Sequence, residues 1–285
     1  MTQNRELQMI SVQRSKDMES GYRRGITNTR KRKRRRAKRR RLLITYLTAI
    51  LLVAVCFKTN WFTELPAFGT AARITALQLQ GDYPTDLLEL LEQNEETYEF
   101  VKDYPSRAEY TGREIDLSGD AASQTVPLLM QWDKRWGYDL YGDAMIGLSG
   151  CGPTCMTMAY LHFTGDTGMN PRRMAEFAQD SGYHSTEGTS WEFWTAGAAS
   201  LGLSGETISL SETVMKSVLD NGGLIVCSMS PGDFTTGGHY ILLRGYDENG
   251  FFVNDPNRKS NSKKQWDYDT LASQMKNLWA LYKNQ

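Results

Sequence analysis

Cys151 is the side chain of this chain best placed to act as a nucleophile. It stands between two glycines in the motif SGCGPTC, directly before an apolar stretch that predicts a helix from about residue 151 to Phe163. Pro153 suits the first turn of that helix. A thiol at such a helix start faces unpaired N–H groups and the positive end of the helix dipole. These lower its pKa and raise the thiolate fraction that a cysteine nucleophile needs. The two glycines are expected to leave room for a substrate backbone.

A thiolate of this kind needs a base and a residue that orients the base. His239 follows Gly237 and Gly238 and opens the predicted strand 239–246, so it is the candidate base. The predicted strand 251–255 returns beside it after a hairpin turn and ends at Asp255. We therefore expect Asp255 to hydrogen-bond the imidazole and hold its orientation. Gly238 has no side chain to block access and is a candidate substrate contact.

Two further elements of a catalytic site can be assigned from position. Gln131 lies upstream of the nucleophile, and its side-chain amide together with the Cys151 N–H could stabilise an oxyanion. Trp132 and Trp191 are candidate substrate-binding aromatics, with core packing as the alternative. The three histidines, His162, His184 and His239, are scattered, so we expect no metal site and no cofactor. Cys155 and Cys227 are interpreted as core residues.

Hydrophobic periodicity predicts an α+β fold. After the Cys151 helix, further helices are expected from Pro171, from a capping box at residues 189–192 to Gly202, and from Ser209. A buried strand follows at 224–228, then the two strands that carry His239 and Asp255. A helix at 268–276 and a final strand complete the domain. Helices set apart from a mostly antiparallel sheet are typical of the α+β class.

The charge distribution divides the chain. The formal net charge is zero, but residues 1–41 hold 16 Lys and Arg against 3 Asp and Glu, a net of +13, so the other 244 residues carry −13. Residues 42–57 are free of charge, and extension to Phe62 gives 21 residues, enough to cross a bilayer as a helix. The basic block beside this segment predicts a retained signal-anchor with a cytoplasmic N-terminus and an extracytoplasmic C-terminal domain.

Other interpretations of the N-terminal region are weaker. A cleaved signal peptide has a shorter charged segment, and Cys56 lacks the small preceding residue of a lipidation site. The Arg and Lys run resembles a nucleic-acid patch, but beside a span it is better interpreted as a topology signal that contacts anionic lipid, so no nucleic-acid partner is expected.

The resulting organisation has four parts. Residues 1–41 are a basic disordered tail and residues 42–62 the signal-anchor. Residues 63–124 are an acidic, helical stalk or an extension packed on the main domain, ending in a linker rich in Gly, Asp and Ser. Residues 125–285 are the functional domain. The 40% hydrophobic content excludes a wholly disordered protein.

Several motifs of the last part resemble one known family. In order, they are VPLLMQWDKRWGYDLYG, IGLSGCGPTCMTMAY, GTSW, SMSPGDFTTGGHYILLRGYD and FFVNDPN. They resemble bacterial papain-like cysteine peptidase domains related to the double-glycine leader peptidases, peptidase family thirty-nine. The resemblance implies a papain-like fold with Cys151 as nucleophile, His239 as base, Asp255 as orienting residue and Gln131 as oxyanion donor. The chain has no Walker A motif, so the exporter-linked role of leader peptidases does not carry over.

Three functions remain open from the sequence. The first is a membrane-anchored, extracytoplasmic cysteine peptidase that acts on peptides or cell-wall peptides. The second uses the same thiol for acyl transfer to an amine or for hydrolysis of peptidoglycan stem peptides. The third is a cell-surface binding module that keeps the fold without catalysis.

Overall fold

The structure, a computed structural model, describes Tyr46, Thr48 and residues 69–122 and 125–284. The chain divides into two compact units, Met1–Gly69 and Thr70–Gln285. The predicted basic tail and the predicted span at 42–62 therefore lie outside the described residues, except for Tyr46 and Thr48. In the part of the chain that is described, no helix combines the length and the apolar character needed to cross a bilayer.

The second unit begins with helices and then alternates helices and strands. Its helices are α1 (Thr70–Gln80), α2 (Thr85–Gln93), α3 (Tyr98–Lys102), α4 (Ser118–Ala121), α5 (Ile146–Ser149), α6 (Cys151–Thr164), α7 (Pro171–Asp180), α8 (Ala196–Ser200), α9 (Glu212–Asp220), α10 (Lys259–Ser262) and α11 (Tyr268–Ala272). Short 3₁₀ helices cover Glu95–Thr97, Tyr104–Glu109 and Trp191–Trp194. Its strands are β1 (Leu140–Tyr141), β2 (Ala144–Met145), β3 (His184–Ser185), β4 (Gly188–Thr189), β5 (Leu203–Ile208), β6 (Leu224–Met229), β7 (His239–Asp247), β8 (Gly250–Asn254), β9 (Gln265–Trp266) and β10 (Met275–Lys283).

A six-stranded antiparallel sheet forms the centre, in the order β5-β10-β6-β7-β8-β9. The β7–β8 hairpin pairs Leu242 with Asn254 and Asp247 with Gly250, and a bulge lies between Leu243 and Gly245. This register brings the end of β8 back toward the start of β7. Because His239 opens β7 and Asp255 directly follows β8, the hairpin fixes the relative position of both side chains.

Helix α6 lies in the main core, as its apolar sequence predicts. Nine of its 14 residues are buried. The apolar ones among them share a hydrophobic cluster with Val226, Leu242 and Trp279 of the sheet. The helix ends at Gly165, whose φ of 71° is the left-handed conformation that favours glycine at a helix C-terminus. Burial on this scale holds the first residue of α6 in a fixed position against the sheet.

The opposite face of the sheet is covered as well. Along β6, Leu224 and Val226 belong to the α6 cluster, whereas Ile225 and Cys227 belong to a second cluster with residues of α9 and α11. This alternation follows the two-residue period of a strand. The predicted α+β class is therefore confirmed in this unit.

Residues 70–110 form a helical extension that packs on the rest of the unit. Leu87, Leu91 and Phe100 share a hydrophobic cluster with Tyr138. The Phe100 and Tyr138 rings stack with centroids 4.4 Å apart, and the Tyr138 hydroxyl donates to the Phe100 carbonyl oxygen at 2.6 Å. The extension is therefore in contact with the segment that carries Tyr138.

Several elements differ from the prediction, and helix α9 begins at Glu212 rather than at Ser209. The helix expected from residue 189 to Gly202 is split at Thr195 into a 3₁₀ helix and α8, and Ser190 makes no side-chain capping bond. Strand β5 was not predicted. Its Gly205 lies so close to the Trp194 carbonyl that a Cβ there would sit 1.9 Å from the oxygen. Helix α11 is shorter than expected because β10 begins at Met275.

Candidate active site

Cys151 is the first residue of α6 and is half-buried. The glycines beside it serve internal packing, so the expectation that they leave room for substrate is wrong. A Cβ on Gly152 would lie 2.3 Å from Oγ1 of Thr189, and one on Gly150 would lie 2.5 Å from Cγ2 of Ile146. The glycines let β4 and α5 approach the helix start, which fixes the place of the thiol.

His239 lies between Cys151 and Asp255. Its Nε2 is 2.8 Å from Oδ1 of Asp255, and the same imidazole lowers the pKa of the Cys151 thiol. Because Nε2 is engaged by the carboxylate, Nδ1 is the ring nitrogen that can face the sulfur. The imidazole is 7% exposed and Asp255 is fully buried. The structure therefore brings together three of the side chains that the sequence singled out.

Asp255 is held by a turn that follows β8. Its Oδ1 also accepts the N–H of Asn257 at 2.8 Å and that of Arg258 at 3.2 Å. Its Oδ2 accepts the side-chain amide of Asn261 at 2.7 Å. These donors satisfy a buried carboxylate that would otherwise be costly, and they orient it toward His239.

The surroundings of Cys151 favour its thiolate. Burial raises the pKa of the Cys151 thiol. Hydrogen bonding and charge from His239, together with the backbone N–H groups of Tyr240 and Gly152, lower it by more than burial raises it, so the pKa lies below its ordinary value. A lowered thiol pKa is the property of reactive cysteines.

The pKa of the His239 imidazole is raised and the pKa of the Asp255 carboxyl is lowered, so both side chains are held in their charged forms. Burial lowers the pKa of His239, but the charge and hydrogen bond of Asp255 and the contact with Cys151 outweigh it and raise the pKa to about 10. Burial raises the pKa of Asp255, yet the charge of His239 and the hydrogen bonds from His239 and Asn261 bring it below its usual value. Protons in such a group belong to the coupled set rather than to one residue. The arrangement favours an imidazolium between two anions.

Gln131 connects two parts of the site. Its backbone N–H donates to the Pro256 carbonyl at 2.8 Å, and its Nε2 donates to the Gly147 carbonyl at 3.0 Å. The side chain is buried at 3% exposure. Since an amide nitrogen carries two hydrogens, one N–H is used by Gly147 and the second is available for another acceptor.

The candidate substrate contacts differ in exposure. Trp191 is 51% exposed, and its ring meets that of Trp279 edge-on at 5.6 Å. Gly238 is exposed, and a Cβ added to it would point into open space. Trp132 is half-buried, and its indole N–H donates to the Asn257 carbonyl at 2.7 Å. Trp191 and Gly238 are therefore accessible to a ligand, whereas the polar group of Trp132 is used inside the protein.

The other cysteines and histidines among the described residues have no part in the proposed chemistry. Cys155 and Cys227 are buried, and burial raises the pKa of each thiol. The His184 ring packs against Tyr141 and the His162 ring against Phe163. Among the described residues, no group of three His, Cys, Asp or Glu side chains is placed to hold a metal ion.

Sequence reasoning missed the residues that support Asp255. Asn261 and Ser262 lie in the polar run NRKSNS after β8, and the Ser262 hydroxyl accepts the Asp255 N–H at 2.8 Å. The density of Asn and Ser in this run was a usable signal for a turn. It did not show that this turn folds back on the carboxylate of Asp255, which precedes it in the sequence.

The model of the Peptidase_C39-like family matches residues 123–285, more than half of the chain. The chain belongs to this family. The predicted resemblance to family thirty-nine peptidases is thereby confirmed, and membership in this C39-like family indicates cysteine peptidase activity.

Two solved structures match parts of this chain. One is the peptidase domain of Streptococcus ComA, a bi-functional ABC transporter involved in a quorum-sensing pathway. It is 18% identical, covers 48% of this chain and 93% of its own, and has a TM-score of 0.38. The other is a putative C39-like peptidase from Bacillus anthracis, 15% identical, covering 60% and 98%, with a TM-score of 0.36. No curated protein matches this C39-like chain significantly.

Proposed function

We propose that this C39-like protein is a cysteine peptidase that hydrolyses peptide bonds with Cys151 as nucleophile, His239 as general base and acid, and Asp255 as the orienting residue. The observation that carries the proposal is the buried pair of His239 and Asp255, 2.8 Å apart, with the His239 imidazole lowering the pKa of the Cys151 thiol at the start of α6. A nucleophile, a base and a group that orients the base are the parts that covalent acyl transfer requires.

The proposed reaction has two halves. In the first, Sγ of Cys151 attacks the scissile carbonyl carbon and a C–S bond forms. The oxyanion accepts hydrogen bonds from the free N–H of Gln131 and the backbone N–H of Cys151. The C–N bond then breaks, and the leaving amine takes the proton carried by His239. In the second half, His239 takes a proton from water, the hydroxide displaces Sγ, and the peptide leaves as a carboxylic acid.

Peptide turnover by the full-length protein tests this proposal. A mixture of peptides is incubated with the wild type and with Cys151→Ala, and products are identified by mass spectrometry. We expect new carboxyl termini with the wild type and none with the variant. Cys227→Ala is the matched control, since it removes a buried thiol far from the predicted chemistry. Equal hydrolysis by Cys151→Ala would contradict the proposal.

The same experiment separates hydrolysis from acyl transfer. When an added amine such as glycine amide is present, a hydrolase still releases free acids, whereas an acyltransferase releases amides. Because water is the proposed acceptor, free acids are the expected products. Amide products would support the acyltransferase alternative instead.

We further propose that residues 42–62 anchor the protein as a single-pass membrane span with residues 1–41 in the cytoplasm and the peptidase domain outside. The support is the uncharged 16-residue run at 42–57 after a basic block. Protease added to intact cells is expected to degrade epitopes in the peptidase domain and spare an epitope at the N-terminus. The reverse pattern would contradict this topology.

A further inference from the structure

The helical extension reaches the turn that supports Asp255. Between α2 and α3, the Glu96 carboxylate accepts the N–H of Lys259 at 2.7 Å through Oε2 and the N–H of Ser260 at 2.9 Å through Oε1. These are the first N–H groups of α10, which have no partner within that short helix. One carboxylate of the extension therefore satisfies two of them from 163 residues away in sequence.

A second contact joins the same two segments. The side-chain amide of Asn94 donates to the Asn257 carbonyl at 2.6 Å, and Arg258 donates to the Gln93 carbonyl. Asn94 is buried at 3% exposure. The turn from 257 to 260 is thus held on its outer side by residues 93–96.

The inner side of that turn supports the catalytic carboxylate. The N–H groups of Asn257 and Arg258 donate to Oδ1 of Asp255, and Asn261 of α10 donates to Oδ2. A displacement of α10 would therefore move donors away from Asp255. The carboxylate contacts the imidazole, which in turn contacts the thiol, so the effect would pass to Cys151.

From these contacts we infer that Glu96 is a positioning residue for the proposed triad: its carboxylate fixes α10, and α10 fixes Asp255. The inference rests on the proposed function, since it concerns the same site. Glu96 lies outside residues 123–285, the part matched by the family. Through Glu96, the helical extension therefore helps to position Asp255 in the proposed active site.

The test is the pH dependence of Cys151 alkylation by iodoacetamide in the full-length protein, followed residue by residue with mass spectrometry. In Glu96→Ala, weaker support of Asp255 is expected to reduce the charge stabilisation of the His239 imidazolium and so of the thiolate. The midpoint of the alkylation curve should rise. At pH values below the wild-type midpoint, alkylation should slow about threefold or more, which corresponds to a rise of about half a pKa unit.

Charge removal alone must be separated from loss of the hydrogen bonds. Glu95→Ala removes an exposed carboxylate one residue away from the one that binds α10, so its curve should coincide with that of the wild type. The charged side chains beside Glu96 are Arg258 and Lys259; the first is engaged by Gln93 and the second lies over the Trp132 ring. Tyr141, Tyr240 and Cys155 are the other titratable groups near the thiol.

Each outcome has a defined meaning. A raised midpoint in Glu96→Ala with Cys227 still protected from alkylation supports a positioning role. An unchanged midpoint overturns it, even if thermal stability falls. If Glu96→Ala does not fold, Glu96→Gln keeps one acceptor oxygen and should give a smaller rise; an unchanged curve there overturns the inference. An ordinary thiol curve in the wild type would instead overturn the proposed function.

Discussion

The backbone N–H of Gln131 donates to the carbonyl oxygen of Pro256 at 2.8 Å. This bond links the proposed oxyanion donor to the residue that follows Asp255. The Gln131 side chain binds the Gly147 carbonyl, four residues before Cys151. A single residue therefore connects the segment that carries the nucleophile with the turn that carries the carboxylate, although these segments are far apart in sequence.

Removal of the Gln131 side-chain amide should lower kcat without changing the rate of Cys151 alkylation. Loss of one oxyanion donor costs about 10²–10³ in kcat in other enzymes, and we expect a loss of that order for Gln131→Ala. The rate of Cys151 alkylation should stay close to that of the wild type, because Gln131 is not among the groups that lower the thiol pKa. Steady-state kinetics and alkylation measured on one preparation test this split. Parallel losses in both rates would show that Gln131 acts on the thiol instead.

Substitution of Asp255 should act on the imidazole first. In Asp255→Asn the buried charge that raises the pKa of His239 is lost, so that pKa should fall. The imidazolium that stabilises the thiolate becomes scarcer, and the pKa of Cys151 should rise. We expect peptide turnover to fall by about 10²–10⁴-fold, the usual range for loss of acid–base assistance.

The control for this change is Asp269→Asn, which removes an exposed carboxylate in α11. Its turnover and its alkylation curve should match those of the wild type. If Asp255→Asn also matched the wild type in both, the role assigned to Asp255 would be wrong.

Asn261 should matter for stability as well as for orientation. It is 6% exposed and donates to Oδ2 of Asp255 at 2.7 Å. Loss of one partner of a buried hydrogen-bonded charge costs about 1–3 kcal/mol. Asn261→Ala should therefore lower the free energy of unfolding by about that amount in a denaturant titration. The exposed Asn249→Ala serves as the comparison; equal effects of the two substitutions would contradict this reasoning.

Substitution by alanine should lower the free energy of unfolding at Gly152 but not at Gly238. Gly152→Ala would place a Cβ against Thr189 and should destabilise the protein by about 1–3 kcal/mol. In Gly238→Ala the added Cβ points into open space, so the free energy of unfolding should stay within about 0.5 kcal/mol of the wild-type value. If substrate passes Gly238 as predicted, KM should rise in that variant while Cys151 alkylation is unchanged. An unaltered KM would remove Gly238 from the substrate contacts.

Local sequence patterns predicted the elements that hold the catalytic residues. The apolar helix after Cys151 and the hairpin between His239 and Asp255 both follow short-range rules, and the structure has both. Strand β5 was not predicted because it lies at the sheet edge and only Leu203 of its six residues is buried, so its sequence LSGETI shows little alternation. The split at Thr195 is imposed by β5 packing against Trp194, a contact that the helix sequence does not contain.

Contacts between distant segments were beyond sequence reasoning. The helical spacing of Leu87, Leu88, Leu90 and Leu91 predicts a helix, but it does not show which surface covers the apolar face. Glu96 and Lys259 are separated by 163 residues, and neither residue type is unusual in a surface turn. The support of Asp255 by Asn261 is closer in sequence, yet it depends on the path of a turn that composition does not fix.

The central claim is that Cys151 is a thiolate paired with the His239 imidazolium. It is tested most directly by the pH dependence of iodoacetamide alkylation at Cys151, with Cys155 and Cys227 measured in the same sample. An ordinary thiol ionises near pH ~8.5, and an activated one at roughly pH 3.5–7.5. We expect selective alkylation of Cys151 that persists near about pH 5 and is weakened by His239→Ala. Alkylation of Cys151 along the ordinary thiol curve, unchanged by His239→Ala, would contradict it.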